Sequence, residues 1–517
     1  MVHSPVVQAS PKAEVIKHIQ QLVPPGSPEP QAPKILTELT QLTADLIRAY
    51  QADGQLYEEP FADVWQQSIY LYQAAVSSHI KDKVVLVTGG EGCVGSYLIK
   101  KLVALKARQV VSVDKARCAD WEMQPCKEQK GAIAFYATDV RNYDALKHIF
   151  ETEKPDIVFH LAAQRLPGLA EIQIRETVTT AICGTQNIIE LCEQYQVQQC
   201  IFSSTGKASR YFTAEVYAAS KKICEWQIVQ AAKQGNVTYG MVRFTHMLNN
   251  SSVCQQIEAK IRQGKIVNIH APHRYITAQN VDEALHLLLN SLVLSQPGNL
   301  KFLTVRHLVW PVETLELALY KIMRSGKSLP IYFQGLLPGY EEPFFLGQFD
   351  WSQPTQMNPL INVLENPQVE ASEDMMIAEI APFSQQVLNQ HLAVIKLLAS
   401  TPEVPEIEIK SALKKAVREV TESIFAQTHP EILLKILKWG TNHKQLKSDG
   451  IAIEQHQDIL ELLFQGLYGR INQSCLAQYK QHEFDALIQL LSTLPIMHQN
   501  VAYLRALAQS NIGYNSN

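Results

Sequence analysis

The chain has 517 residues, a formal net charge of −4 and a pI near 6.5, which gives no electrostatic reason to expect a nucleic-acid partner or an anionic membrane. With 46% hydrophobic and 19% charged residues it has a globular composition, and its length leaves room for two to four domains of ~150 residues. No run approaches the ~18 apolar residues of a membrane span, no signal-peptide pattern opens the sequence, and the nine cysteines are scattered, with Cys118 and Cys126 too far apart for a zinc-ligand pair; a cytoplasmic chain with reduced thiols and no metal site is expected.

Residues 1–80 carry helical periodicity and no strand pattern. Ala13 to Val23 is followed by the proline-rich linker Pro24-Pro25-Gly26-Ser27-Pro28-Glu29-Pro30. Ile35 to Leu56 and Phe61 to Ile80 then space apolar residues three and four apart. The segment is expected to be a helical extension that packs on the core or on a second subunit.

Residues 81–345 alternate strands and helices, which predicts an α/β fold with a doubly wound parallel sheet. Strands are predicted at Val84–Val87, Val110–Val113, Ile133–Tyr136, Ile157–His160, Cys200–Ser203 and Tyr239–Phe244, with helices such as Ser96–Leu105 and Ala181–Tyr195 between them. The first strand runs into Thr88-Gly89-Gly90-Glu91-Gly92-Cys93-Val94-Gly95. Gly89 permits the tight turn, Gly92 a close approach of backbone to a pyrophosphate, and Gly95 close packing of helix on strand. The pyrophosphate would sit on the helix N-terminus at Cys93 and Val94, where free N–H groups and the macrodipole favour an anion. Asp114 ends the second strand about 20 residues past the last glycine, where a carboxylate holds a ribose 2′-OH. A dinucleotide is expected here: NAD, because Asp114 would repel a 2′-phosphate, with NADP an alternative because Lys115 and Arg117 lie close by.

Tyr217-Ala218-Ala219-Ser220-Lys221 follows the strand that ends in Ser204 and Thr205. Four apart on a helix, the phenol and the ammonium share one face. The lysine can lower the phenol pKa while the tyrosine exchanges a proton at a sugar hydroxyl or carbonyl. Ligands in such sheets bind beyond the carboxyl ends of the strands.

From about residue 346 the strand pattern gives way to helices at roughly Ser384–Ala399, Ile407–Ala426, Glu431–Trp439, Ile453–Ile471, Cys475–Leu491 and Val501–Ser510. A partner-docking or dimerising helical domain is expected over 346–517. The acidic run Glu370–Asp374 reads as a solvated turn, and His160 as a packed residue at the cleft edge. No Gly-x-Ser-x-Gly elbow or phosphate loop ending in Gly-Lys-Ser/Thr is present, which argues against a hydrolase or an NTPase.

Together, Thr88–Gly95, Asp114, Asp139-Val140, His160-Leu161-Ala162-Ala163, Ser204-Thr205 and Tyr217 with Lys221 resemble the extended short-chain dehydrogenase/reductase superfamily. More narrowly, Ser204-Thr205-Gly206-Lys207-Ala208 and Gly335-Leu336-Leu337-Pro338-Gly339-Tyr340-Glu341 resemble segments of its polysaccharide-biosynthesis branch, which includes the UDP-N-acetylglucosamine 4,6-dehydratases. Val242-Arg243-Phe244, Arg274-Tyr275-Ile276-Thr277 and Ala162-Ala163-Gln164-Arg165 with Glu171 add to the likeness. The resemblance covers about residues 82–345, with a substrate lobe from about 245. It implies that Gly89, Gly92, Cys93, Val94 and Gly95 cradle the pyrophosphate, that Asp114 holds the adenosine ribose and Asp139-Val140 the adenine, and that Leu161, Ala162 and Ala163 line the cofactor. It further implies a Thr205–Tyr217–Lys221 catalytic trio assisted by Lys207, with Arg165, Arg243 and Arg274 binding substrate. The implied chemistry is hydride transfer from C4 of a nucleotide-linked sugar, followed by epimerisation or elimination and return of the hydride.

The sequence departs from that pattern at four places. Gly206 stands where the dehydratases place an aspartate that helps expel water, Ala181 where an asparagine is common, and Leu337 where an arginine can grip a diphosphate. His246 and Met247 alter the run after Arg243. The departures favour an epimerase or oxidoreductase over a dehydratase. They also leave open a dinucleotide-binding scaffold that docks protein partners through its helical flanks, or an oxidoreductase whose substrate is not a sugar nucleotide. A homo-oligomer is expected.

Overall fold

The computed structural model describes residues 11–115, 127–130, 132–471 and 481–512. Arg117, Cys118, Cys126 and the start of the predicted Cys475–Leu491 helix lie outside them. The chain forms two compact units that do not follow the expected division at residues 80 and 345.

The larger unit joins the described residues of 70–244, 285–306 and 342–517. Its sheet contains β1 (Val84–Thr88), β2 (Gln109–Asp114), β3 (Lys127–Lys130), β4 (Ile133–Ala137), β5 (Ile157–His160), β6 (Gln199–Thr205), β7 (Thr238–Phe244), β8 (Lys301–Val305), β9 (Gln368–Val369) and β10 (Met375–Glu379), in the order β9-β10-β8-β7-β6-β5-β1-β2-β4-β3. The strands from β8 to β4 are parallel, and the chain reverses direction across the sheet between β1 and β5. Every residue of β1 is buried, as Val-Val-Leu-Val-Thr requires of a strand covered on both faces. All six predicted parallel strands are present, each within two residues of its expected ends.

Strands continue past residue 346, contrary to expectation: β10 pairs antiparallel with β8 along Lys301–Val305, and β9 closes that edge. The acidic run is the turn between β9 and β10, and it is not wholly solvated. Glu370 is buried there, and its carboxylate accepts from Tyr72 and from Ser372. The C-terminal helices share the core of this sheet and do not form a separate domain. Helix Glu406–Gln427 packs on Gln385–Ser400 and on Val216–Gln234, so the latter is buried on nearly every face, charged residues included.

The smaller unit joins the described residues up to Ile69 with Thr245–Ala284 and His307–Glu341. Helices Pro11–Leu22 and Pro33–Ala52 bury Ile19, Leu39 and Leu46 in one core with Val267, Leu315 and Ile331. Tyr50 donates to Glu313 at 2.6 Å, and the Ile331 N–H donates to Thr43 at 2.9 Å. The N-terminal helices therefore complete the 245–341 lobe. The predicted Phe61–Ile80 helix is broken into Ala62–Gln66 and Gln73–Ile80. In the break, side-chain amides replace helical bonds: Asn280 takes the Val64 and Gln67 carbonyls, and Asn290 takes that of Tyr70.

Candidate active site

The turn after β1 shows why three glycines are needed. Gly89 has φ +72°, and a Cβ there would meet Ala162 N at 2.9 Å. Gly92 is the N-cap of helix Cys93–Ala104, and no side chain caps that helix. A Cβ on Gly95 would lie 2.2 Å from the Gly89 carbonyl oxygen. The helix N-terminus, with Cys93 and Val94 in its first turn, thus presents backbone to whatever lies beyond the strand ends, as an anion site requires. Asp114, at the end of β2, accepts from the Glu91 N–H at 3.0 Å and so ties its carboxylate to the glycine turn. Beside it, Lys115 is paired with Glu176.

The loop after β5 lies over the same turn. Thr88 accepts from the Leu161 and Ala162 N–H groups at 3.2 and 3.3 Å and shares a 2.7 Å hydrogen bond with His160 Nδ1, whose other ring nitrogen is 3.1 Å from Thr185. Burial, and then the Lys221 charge, push the His160 pKa down to about 3, so this ring is neutral and structural. Ala163 follows, half-buried, and Arg165 is exposed. Burial raises the Cys93 thiol while the Arg165 cation opposes that shift. Asp139 is gripped by Arg141 through its backbone N–H, Nε and a second guanidinium nitrogen, and its carboxyl is held below the usual range. Val140 packs into the core where Gly184 has no side chain, and its carbonyl accepts from Asn187.

At the end of β6, Thr205 caps a short helical turn, Gly206–Ser209. Lys221 Nζ donates to the Ser203 carbonyl at 2.8 Å and sits 4.6 Å from the centre of the Phe202 ring. Burial pushes its pKa down to about 8. Tyr217, half-buried, lies one helical turn earlier on the same face. Lys207 pairs with Glu215 at 2.6 Å, drawing the loop after Thr205 to within two residues of Tyr217. Burial holds the Lys207 amine below the ordinary lysine range while Glu215 opposes that shift. Arg210 joins Glu215 to Glu342 at 3.1 and 3.0 Å. Thr205, Lys207, Tyr217 and Lys221 are thus gathered at the carboxyl end of β6.

Two further features were not anticipated. Leu360 fills the space beside Gly206, where a Cβ would lie 2.2 Å from its Cδ2. Glu171 accepts from the Val216 N–H, next to Tyr217.

One of the three arginines needs a different reading from the expected one. Arg243 is fully buried, and its five N–H donors are taken by Glu225, Glu365 and the Leu360 carbonyl while Phe302 stacks at 4.1 Å; it is a core residue and not a substrate contact. Arg274 belongs to the smaller unit, where its carbonyl accepts from the Thr314 N–H and its charge, after burial, lowers the His270 pKa. His246, in that unit, bonds Ser251 and is kept neutral by burial. Among the described residues no group of three His, Cys, Asp or Glu is placed to hold a metal ion, and no helix is long and apolar enough to cross a membrane.

Residues 85–344 match the family described as "Polysaccharide biosynthesis protein". An uncharacterized membrane protein of Methanocaldococcus jannaschii is 30% identical over 44% of this chain and 67% of its own length. The probable polysaccharide biosynthesis protein EpsC of Bacillus subtilis is 26% identical over 58% of this chain and 50% of its own. The human dTDP-D-glucose 4,6-dehydratase is 26% identical over 48% of this chain and 68% of its own. The chain spans about half the length of EpsC.

Proposed function

As the chain belongs to the polysaccharide biosynthesis protein family, we propose that it is an NAD-dependent enzyme acting at C4 of a nucleotide-linked sugar, as an epimerase or oxidoreductase. The observation that carries this reading is the convergence of Thr205, Tyr217 and Lys221 at the carboxyl end of β6, in the same sheet as the glycine turn after β1. Similarity to the human dTDP-D-glucose 4,6-dehydratase supports a nucleotide-sugar substrate.

The residues fit a dinucleotide: the glycine turn leaves no room for side chains, the adjoining helix N-terminus is uncapped, and Asp114 stands where a ribose would lie. When bound, that cofactor supplies a hydride acceptor. Below pH about 8 the Lys221 ammonium is charged in a low-dielectric setting, and it stabilises the phenolate form of Tyr217. The phenolate oxygen takes the proton of the sugar 4-hydroxyl as C4 is oxidised to a ketone, and returns it when the ketone is reduced. The Thr205 hydroxyl would hydrogen-bond the same oxygen, and the exposed Arg165, whose charge acts on Cys93 in the first turn of the glycine helix, would hold a phosphate. Leu360 occupies the side of Gly206 toward which the dehydratases' aspartate would project, which supports epimerisation or simple redox chemistry over loss of water.

Mass spectrometry of ligands retained by natively purified protein tests the reading. NAD(H) accompanied by a nucleotide sugar is expected; a protein that retains neither and binds neither when they are added would contradict it.

A further inference from the structure

The helix that carries Tyr217 begins without a side-chain cap of its own: Glu215 is the N-cap residue, and its carboxylate is turned to Lys207 and Arg210. The cap comes from elsewhere in the sequence. Glu171 Oε1 accepts from the Val216 N–H at 2.7 Å, where a negative charge also complements the helix dipole. The other oxygen, Oε2, accepts from Lys410 Nζ at 2.6 Å, on helix Glu406–Gln427. The Glu171 side chain is 5% exposed, so Lys410 supplies the charge that its buried carboxylate needs.

Further bonds lock the same region to the C-terminal helices. The Ile174 N–H donates to Glu406 at 2.9 Å, and Arg175 donates to the carbonyls of Leu398, Ala399 and Val404. Thr421, farther along the 406–427 helix, donates to the Tyr211 carbonyl in the loop between Thr205 and Tyr217. The C-terminal helices therefore bond both to Glu171, which caps the Tyr217 helix, and to the loop that leads into that helix at Tyr211.

We propose that Lys410 is a positioning residue for Tyr217: through Glu171, the C-terminal helical segment fixes the first turn of the helix from which the phenol projects. The inference rests on the proposed role of Tyr217. It gives residues 385–427 a task in catalysis, not only in docking or stability. Removing Lys410 leaves the fold, the glycine turn and Lys221 in place, but it leaves Glu171 without its counter-ion and loosens the Val216 cap.

The test compares wild type with Lys410→Met, Lys410→Arg and Glu171→Gln. Amide hydrogen exchange over residues 214–222, NAD affinity, thermal midpoint and single-turnover reduction of bound NAD+ by UDP-N-acetylglucosamine would be measured. Lys410→Met is expected to speed exchange at Val216 and to slow turnover by about 10- to 100-fold, with NAD affinity unchanged and the thermal midpoint lowered because Glu171 loses its counter-ion; Lys410→Arg should restore exchange and rate, and Glu171→Gln should fall between. Unchanged exchange at Val216 in Lys410→Met, faster exchange spread evenly over the whole chain and not concentrated at residues 214–222, or a rate loss that Arg does not rescue would overturn the proposal. If wild type reduces no cofactor, the proposed function fails by itself, and exchange at Val216 alone then decides whether Lys410 holds the helix.

Discussion

Leu360 fills the space that a side chain on Gly206 would need: a β-carbon there would lie 2.2 Å from Leu360 Cδ2, and Leu360 is itself buried. Any side chain at 206 must displace it. Gly206→Asp, the change that would restore the dehydratase acid, is expected to cost about 1–3 kcal/mol as overpacking and to yield no dehydrated product from UDP-N-acetylglucosamine. Pairing it with Leu360→Ala should recover part of the loss. Denaturant unfolding of the two variants and mass spectrometry of the sugar check this. Efficient loss of water by the wild type would show that another group supplies the proton.

Arg243 is predicted to matter for folding and not for substrate binding. Arg243→Met leaves Glu225 and Glu365 buried without their cation, at a cost of about 3–5 kcal/mol. Burial already raises the Glu365 pKa against the pull of Arg243, so the orphaned acid should take up a proton. A large fall in unfolding free energy with unchanged NAD affinity is the expected result.

NAD(H) should bind more tightly than NADP(H). Asp114 would repel a 2′-phosphate, and the nearby Lys115 is engaged by Glu176. Asp114→Ala should weaken NAD binding by about 1–3 kcal/mol. Glu176→Gln frees Lys115 and should narrow the preference by improving NADP(H) binding. Fluorescence titration of both cofactors decides; tighter NADP(H) binding by the wild type would reverse the assignment.

The pH dependence follows from Lys221 and His160. Burial lowers the Lys221 pKa to about 8, so its charge, and with it the support for the Tyr217 phenolate, is present below that pH and lost above it. The chemical step should slow above pH about 8, and Lys221→Arg should remove that limb because the guanidinium stays charged. His160, lowered to about 3, is neutral in both folded and unfolded states above its ordinary pKa of 6.5; between 6.5 and 3 the unfolded chain binds the extra proton, so stability falls as the solution is acidified. NMR should show no titration of the His160 ring between pH 5 and 9.

Much of this was legible in the sequence because the signals are local. Strand, glycine turn and helix at 84–104 follow one another without a break, and Tyr217 and Lys221 need only helical spacing to meet. The unread parts depend on distant partners. Val242-Arg243-Phe244 resembles a substrate segment, yet the acids that claim Arg243 stand at 225 and 365, and nothing near it in sequence announces them. The merger of the N-terminal helices with the 245–341 lobe rests on pairs such as Tyr50 with Glu313. β10 was missed because Met375-Met376-Ile377-Ala378 follows an acidic turn and lacks polar alternation, and the two-residue strands are too short to carry a period.

The central claim is that Tyr217 exchanges the proton when C4 is oxidised. The most direct measurement follows nicotinamide fluorescence after UDP-N-acetylglucosamine is added to NAD+-loaded protein, for wild type and Tyr217→Phe. The account predicts reduced cofactor in the wild type and a loss of about 10²–10⁴ in rate in the variant, with NAD affinity unchanged because the ring and its packing remain. Equal rates of reduction in the two proteins would contradict it.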